Sequence, residues 1–324
     1  MVATPLSPLK RTTLTTPKHR RRTRSRVAVL VLVASLGAVS ACAGGMGVPT
    51  TTMPEGSSTT ARVTPPPQDA EPLEKLSSHR LSPVYWLGER DLTVYLYREY
   101  LKAEDQGDPI TSAIKYMLEH TPTDTDYFNV WSPAARIGTS IDTNNVITVD
   151  LSDDAFSREL DRGLAERAIQ QLVYTATAAA ANAGLLTGTT PSRVAVLVDG
   201  HTGYEAFGHI PLDGPIERVA SLRAPIWVID PQDGATRPAG KLTVRGVSAG
   251  FTGGTRWEVR RTRDGEPGEV VSQGALALGA GELPEDAFEI VLNMRPGEYR
   301  LSVWGQTAQD AERLSEDTKA LTVN

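Results

Sequence analysis

Cysteine is nearly absent from this sequence: its 324 residues contain one, Cys42. An internal disulfide and any cysteine-based zinc cluster are thereby excluded. Aromatic residues are few, and none occurs before Tyr85, so no core can form upstream of that point. The first 41 residues contain no Asp or Glu. The most apolar run, Val27 to Val39, falls short of the roughly 20 residues a membrane-spanning helix requires. What is present is globular in balance. Hydrophobic residues make up 40% and charged residues 22%, and the length allows two or three domains.

The charge is distributed unevenly. Lys10, Arg11, Lys18, Arg20, Arg21, Arg22, Arg24 and Arg26 are followed by the apolar run and then by small residues. A basic segment, a short apolar segment and small residues form a secretory signal pattern; an anchor extended to Gly45 is the alternative. The arginine cluster also suggests a twin-arginine signal, but no hydrophobic residue follows an Arg-Arg pair as expected, which favours the general secretory route. Without residues 1–41 the chain carries 25 cations and 39 anions, a net charge of −14 against −6 for the whole. Such a chain lacks the cationic surface that phosphate backbones require, so nucleic acid is not expected as a partner.

Residues 42–80 are rich in Gly, Thr, Ser and Pro, with Pro65-Pro66-Pro67 in the middle. They cannot bury enough apolar surface to offset their ordering entropy and are expected to form a tether. Its root-mean-square reach is ~35 Å, from about 5–6 Å × √n.

Two folded regions are expected. In residues 81–222, Val84–Gly88 and Leu92–Tyr97 read as strands. Asp108-Pro109 opens a helix whose apolar face is Ile110, Ala113, Ile114, Met117 and Leu118. Arg136–Ile141 and Val146–Leu151 form a hairpin about Asn144-Asn145. A long helix runs from about Ser157 to Gly184, and Arg193–Val198 is a strand. The mixture without regular βαβ alternation predicts an α+β domain. Residues 223–324 offer about seven short strands separated by Asp233-Gly234, Asp264-Gly265 and Pro296-Gly297, the pattern of an immunoglobulin-like β-sandwich. Trp227, Trp257, Phe288 and Trp304 are its core candidates.

Several motifs carry family resemblances. Val39-Ser40-Ala41-Cys42 resembles a bacterial lipobox, which implies a diacylglycerol on Cys42 and cleavage before it. Val149-Asp150-Leu151-Ser152, Gln171-Leu172-Val173-Tyr174-Thr175 and Leu197-Val198-Asp199-Gly200, in that order, resemble the GerMN domain of sporulation and germination proteins. Ala224-Pro225-Ile226-Trp227-Val228, Val244-Arg245-Gly246, Gly250-Phe251 and Glu316-Asp317-Thr318-Lys319 resemble the immunoglobulin-like domain of bacterial spore germination proteins. One departure is Phe251-Thr252-Gly253-Gly254, where that family often has Phe-Glu-Ala-Asn. Together these features resemble actinobacterial lipoproteins. The resemblance implies an extracytoplasmic, lipid-anchored, non-catalytic protein at the cell membrane, acting on an envelope protein partner.

Signals for other chemistry are weaker. Gly246-Val247-Ser248-Ala249-Gly250 matches a nucleophile-elbow pattern, but every histidine precedes Ser248, whereas the pattern needs acid and then histidine after it. His201 and His209 are too few for a metal site without cysteine, and none is expected. Asp150, Asp153 and Asp154 lack calcium-loop spacing. No cofactor is expected. Tyr127, Phe128 and Trp131 are expected as exposed loop aromatics that bind a partner or cap the core edge. The alternatives to a scaffold are an envelope enzyme acting on cell wall and a small-ligand-binding accessory subunit of a sensor or transporter.

Overall fold

The structure is a computed structural model that describes residues 81–280, 283–309 and 311–324. All of these fall within one compact unit, Arg62–Asn324. The signal, the lipobox with Cys42, and the tether lie outside the described residues. The fold is α+β followed by a β-sandwich.

The first region opens with β1 (Ser82–Arg90) and β2 (Thr93–Leu101), an antiparallel hairpin in register from Ser82↔Leu101 to Arg90↔Thr93. Helix α1 (Pro109–Glu119) starts where the sequence places it. The Asp108 carboxylate accepts the Thr111 N–H at 2.7 Å and the Thr139 hydroxyl, and these bonds hold its pKa below the usual carboxylate range against the opposing effect of burial. All five expected apolar positions of α1 are buried. A two-residue strand, β3 (Tyr127–Phe128), then adds to β1.

The expected hairpin forms from β4 (Ile137–Ile141) and β5 (Val146–Leu151). At the turn Asn145 has φ 60°, a left-handed conformation Asn tolerates. Its side chain does more than the turn requires. The amide nitrogen donates to the carbonyls of Thr187 and Thr190, both at 2.8 Å, and the amide oxygen accepts the Thr187 N–H at 2.9 Å. The residue is almost fully buried. Asn145→Gly keeps the backbone freedom and loses all three bonds; a stability loss of about 2 kcal/mol is expected by chemical denaturation.

Helix α2 (Arg162–Asn182) begins five residues later than expected. Asp161 is its cap, accepting the Leu164 N–H at 3.0 Å, and Asp153–Phe156 forms a separate 3-10 turn. Its far end conforms to expectation, with Gly184 at φ 71° just beyond the last turn. Residues 168–180 of α2 are buried almost without interruption, and small side chains (Ala176, Ala178, Ala179, Ala180) let neighbouring elements approach on several sides. Gln171 and Thr175, one turn apart, face β1. The Gln171 amide donates to the Tyr85 carbonyl at 2.9 Å, and the Thr175 hydroxyl accepts the Tyr85 N–H at 3.1 Å. The helix thereby satisfies β1 backbone beyond the short β3. Strand β6 (Arg193–Val198) pairs parallel with β5, and two-residue strands β7 (Glu205–Ala206) and β8 (Ile210–Pro211) close the region.

The second region contains β9 (Ile226–Asp230), β10 (Ala235–Arg237), β11 (Gly240–Ser248), β12 (Thr255–Arg263), β13 (Glu266–Ala275), β14 (Ala287–Met294), β15 (Gly297–Gly305) and β16 (Leu314–Val323). These form sheets ordered β14-β11-β9 and β10-β16-β15-β12-β13. The unexpected strand is β10, which pairs parallel with β16. Val244, Val259, Phe288, Ile290, Leu301 and Val303 lie in the core between the sheets.

Strand β9 explains the uninterrupted apolar run Ile226-Trp227-Val228-Ile229. Ile226 and Val228 point into the sandwich core, while Trp227 and Ile229 join the core of the first region. Alternation along a strand puts successive side chains on opposite faces, and here each face meets a core. Trp227, expected in the sandwich, therefore belongs to the other core. Trp304 is likewise outside the sandwich core, with the Arg313 guanidinium 3.8 Å from its ring centroid. Trp257 is half-buried at the edge of that core.

Candidate functional site

The most concentrated chemistry in the described residues lies where the two regions meet. It begins on β16, whose residues Asp317 and Lys319 are in phase with the core residues Leu321 and Val323. Two charged side chains are thereby turned inward.

Lys319 is almost completely buried and crosses to the first region. Its ammonium donates to Asp124 Oδ2 at 2.6 Å, to the Tyr127 hydroxyl at 2.7 Å and to Asp317 Oδ1 at 3.0 Å. The Tyr127 hydroxyl in turn donates to Asp317 Oδ1 at 3.2 Å. The other Asp317 oxygen accepts the Val228 N–H at 2.7 Å. A third carboxylate, Glu99 on β2, accepts the N–H groups of Thr123 and Asp124 and fixes the loop that carries Asp124.

Burial would lower the Lys319 pKa, but Asp317 and Asp124 outweigh it and hold the ammonium above the ordinary lysine value. Burial raises the Asp317 and Glu99 carboxyls, against the pull of Lys319 and of the backbone N–H donors. Burial also raises the Tyr127 phenol, so its proton stays in place to bond Asp317.

A second cation is buried in the first region's core, against the tryptophan that β9 contributes to it. Arg98, on β2 and almost fully buried, lies 4.7 Å from the Trp227 ring and 4.9 Å from the Tyr100 ring. Further contacts join the regions around this centre. Gln232 pairs with the Tyr100 backbone through two bonds, 2.6 Å to its amide oxygen and 2.9 Å from its amide nitrogen. Ala224 N–H donates to Leu96 O at 3.0 Å. Arg90 Nε donates to Glu316 O at 2.6 Å.

The residues singled out from sequence fall in several places. Tyr127 is buried in this junction, stacked on Tyr97 at 4.5 Å. Trp131 is buried against Phe156 and Phe207, and Phe128 is half-buried on β3. The exposure expected of these aromatics is therefore corrected: the segment that carries them is drawn into pairing with β1 and into the first region's core. Ser248 is buried on β11, its hydroxyl bonded to Thr255 at 2.7 Å, in a strand rather than an elbow. His209 Nε2 lies 2.9 Å from Leu160 O. Asp154 takes the Ala135 N–H, and Asp150 takes the Gly200 N–H. Among the described residues no group of three or more His, Cys, Asp or Glu is placed to hold a metal. Two open cavities, about 500 Å³ beside Leu81, Lys102 and Asn182 and about 400 Å³ beside Arg261, Leu292 and Tyr299, each lie within one region.

Residues 83–203 match the Germane family, described as sporulation and spore germination. That span holds α1, α2 and every strand from β1 to β6. A structure of the tandem GerMN domains of the sporulation protein GerM from Bacillus subtilis is 16% identical over 44% of this chain and 46% of that one, with a TM-score of 0.32. This chain thus spans about half of that structure. The first GerMN domain of the same protein is 13% identical over 43% of this chain and 97% of that one, with a TM-score of 0.33. No curated protein matches the chain.

Glu316-Asp317-Thr318-Lys319 stands out in the sequence as a motif, without its role. A signal was available: charges at every second position, in phase with the apolar face of a strand, are placed to be buried. Asp124 had no such signal, because its partner Lys319 lies 195 residues away.

Proposed function

We propose that this chain is a lipid-anchored envelope lipoprotein of the sporulation and germination type that acts without catalysis, as a rigid two-module scaffold for a protein partner. The buried junction carries this reading. A loosely linked pair of modules would meet through a wet, mostly polar interface; here Lys319 of β16 reaches Asp124 and Tyr127 of the first region, Trp227 of β9 packs in that region's core beside Arg98, and both cations are shielded from water. Such a body presents surfaces on both modules at fixed separation. The family match over residues 83–203 supports the sporulation type. The lipobox supports attachment through diacylglycerol on Cys42, at the extracytoplasmic face of the cell membrane. Among the described residues no helix is long and apolar enough to cross a membrane.

The anchor and the partner are tested together. Cys42→Ala is expected to abolish lipid labelling and shift the protein from the membrane fraction to the soluble one. Unchanged fractionation would refute lipidation. Cross-linking in intact cells is expected to trap protein adducts, whereas turnover of cell-wall material by the purified chain would contradict the scaffold reading.

A further inference from the structure

The tip of the β1–β2 hairpin is built against its own local preferences. Asp91 and Leu92 form its two-residue turn with φ 49° and 62°. A turn with two left-handed residues suits the twist of a hairpin and favours Asn-Gly or Asp-Gly. Leucine rarely adopts this conformation, because its Cβ crowds the following carbonyl. Leu92 is also 95% exposed, whereas the other exposed large hydrophobics among the described residues range from 37% to 56%. A lone exposed leucine is unremarkable; one held at left-handed φ on a tip with no packing of its own is not.

The tip is held firmly. The Asp91 carboxylate accepts the Ser315 N–H at 2.7 Å and the Ser315 hydroxyl at 3.2 Å. Arg90 pairs with Asp126 at 2.7 Å and with Glu316 O. The hairpin is thus tied to β16, and the leucine stands at the seam of the two regions. Anchored apolar side chains on rigid supports bind with little entropy loss, and strain without a structural return marks functional positions.

Resting on the scaffold reading above, we propose that Leu92 is the knob by which this protein docks into an apolar socket on an envelope protein. The surrounding charge selects the partner. Glu89, Asp91, Asp126 and Glu316 outnumber Arg90 and Arg313 at the tip, so the socket carries a basic rim. An anionic lipid surface is disfavoured by the same charges.

The test uses the full chain. Leu92→Asn keeps a residue tolerant of left-handed φ, and its melting temperature is expected to be unchanged or raised by about 2 °C. A fall of several degrees would show a structural role for the leucine and overturn the proposal. A benzophenone amino acid in place of Glu89, irradiated in the protein's own cells, is expected to give one protein adduct that drops about tenfold when Leu92→Asn is added. An adduct indifferent to Leu92, or Leu92-dependent sedimentation with phosphatidylglycerol vesicles, would overturn it. The same photoprobe at Asn293, distant on β14, separates the two claims: adducts there with none at Glu89 would reject the knob and leave the scaffold standing.

Discussion

Lys319→Met is expected to destabilise the folded chain by about 3–5 kcal/mol, because it leaves Asp124 and Asp317 buried without their cation. Adding Asp124→Asn and Asp317→Asn should restore a measurable part of that loss, since the desolvated charges go with them. The pH dependence follows from the directions of the shifts. Lys319 is raised in the folded state, so its contribution is complete below the unfolded lysine value, near pH 10.4, and is lost as pH rises through the folded one. The difference in stability between wild type and Lys319→Met should therefore be full at pH 7 and shrink in strong alkali. Asp317 and Glu99 are raised too, so the folded state binds their protons more readily than the unfolded state. Lowering the pH through their raised range adds stability through these two groups. Urea titrations of both proteins between pH 6 and 11 measure the lysine term.

Gly246→Ala is expected to cost about 3 kcal/mol or more. A methyl group there would lie 2.4 Å from the Trp227 carbonyl oxygen and 2.4 Å from Phe288 Cζ. The phenyl ring could turn, but the carbonyl belongs to β9, which is packed on both faces and cannot retreat from one core without disturbing the other. Gly305→Ala is the useful comparison. Its methyl group would lie 2.4 Å from Cγ and Cδ1 of Phe251, a half-buried side chain at the edge of the sandwich core, so relief takes a side-chain rearrangement and no displacement of a strand. A loss of about 1 kcal/mol is expected there. Equal losses at the two positions would contradict the role given to β9.

Local signals were legible in the sequence. Asp108-Pro109 placed α1 because a cap acts within its own turn, and Asn144-Asn145 placed the β4–β5 hairpin for the same reason. Six of the eight sandwich strands lengthened or shifted by only a few residues from the expected ranges, whereas β16 extended six residues earlier. The sequence was less informative wherever a residue's role depends on a distant one. Trp227 looks like sandwich core because its neighbours are; only the packing of the first region against β9 turns it elsewhere. Tyr127 and Trp131 sit in a Pro- and Asp-rich stretch that reads as exposed loop, yet pairing with β1 and stacking on Tyr97 draw Tyr127 inside, and packing against Phe156 and Phe207 draws in Trp131. The start of α2 was misplaced because Ser157 and Asp161 are both acceptable caps, and the apolar stripe could not choose between them.

The central claim is that the two regions form one cooperative body through the Lys319–Asp124–Asp317–Tyr127 junction. Scanning calorimetry of the mature chain without its lipid tests this most directly. A single transition whose calorimetric and van't Hoff enthalpies agree is predicted, splitting into two in Lys319→Met. Two separable transitions in the wild-type chain would contradict the claim.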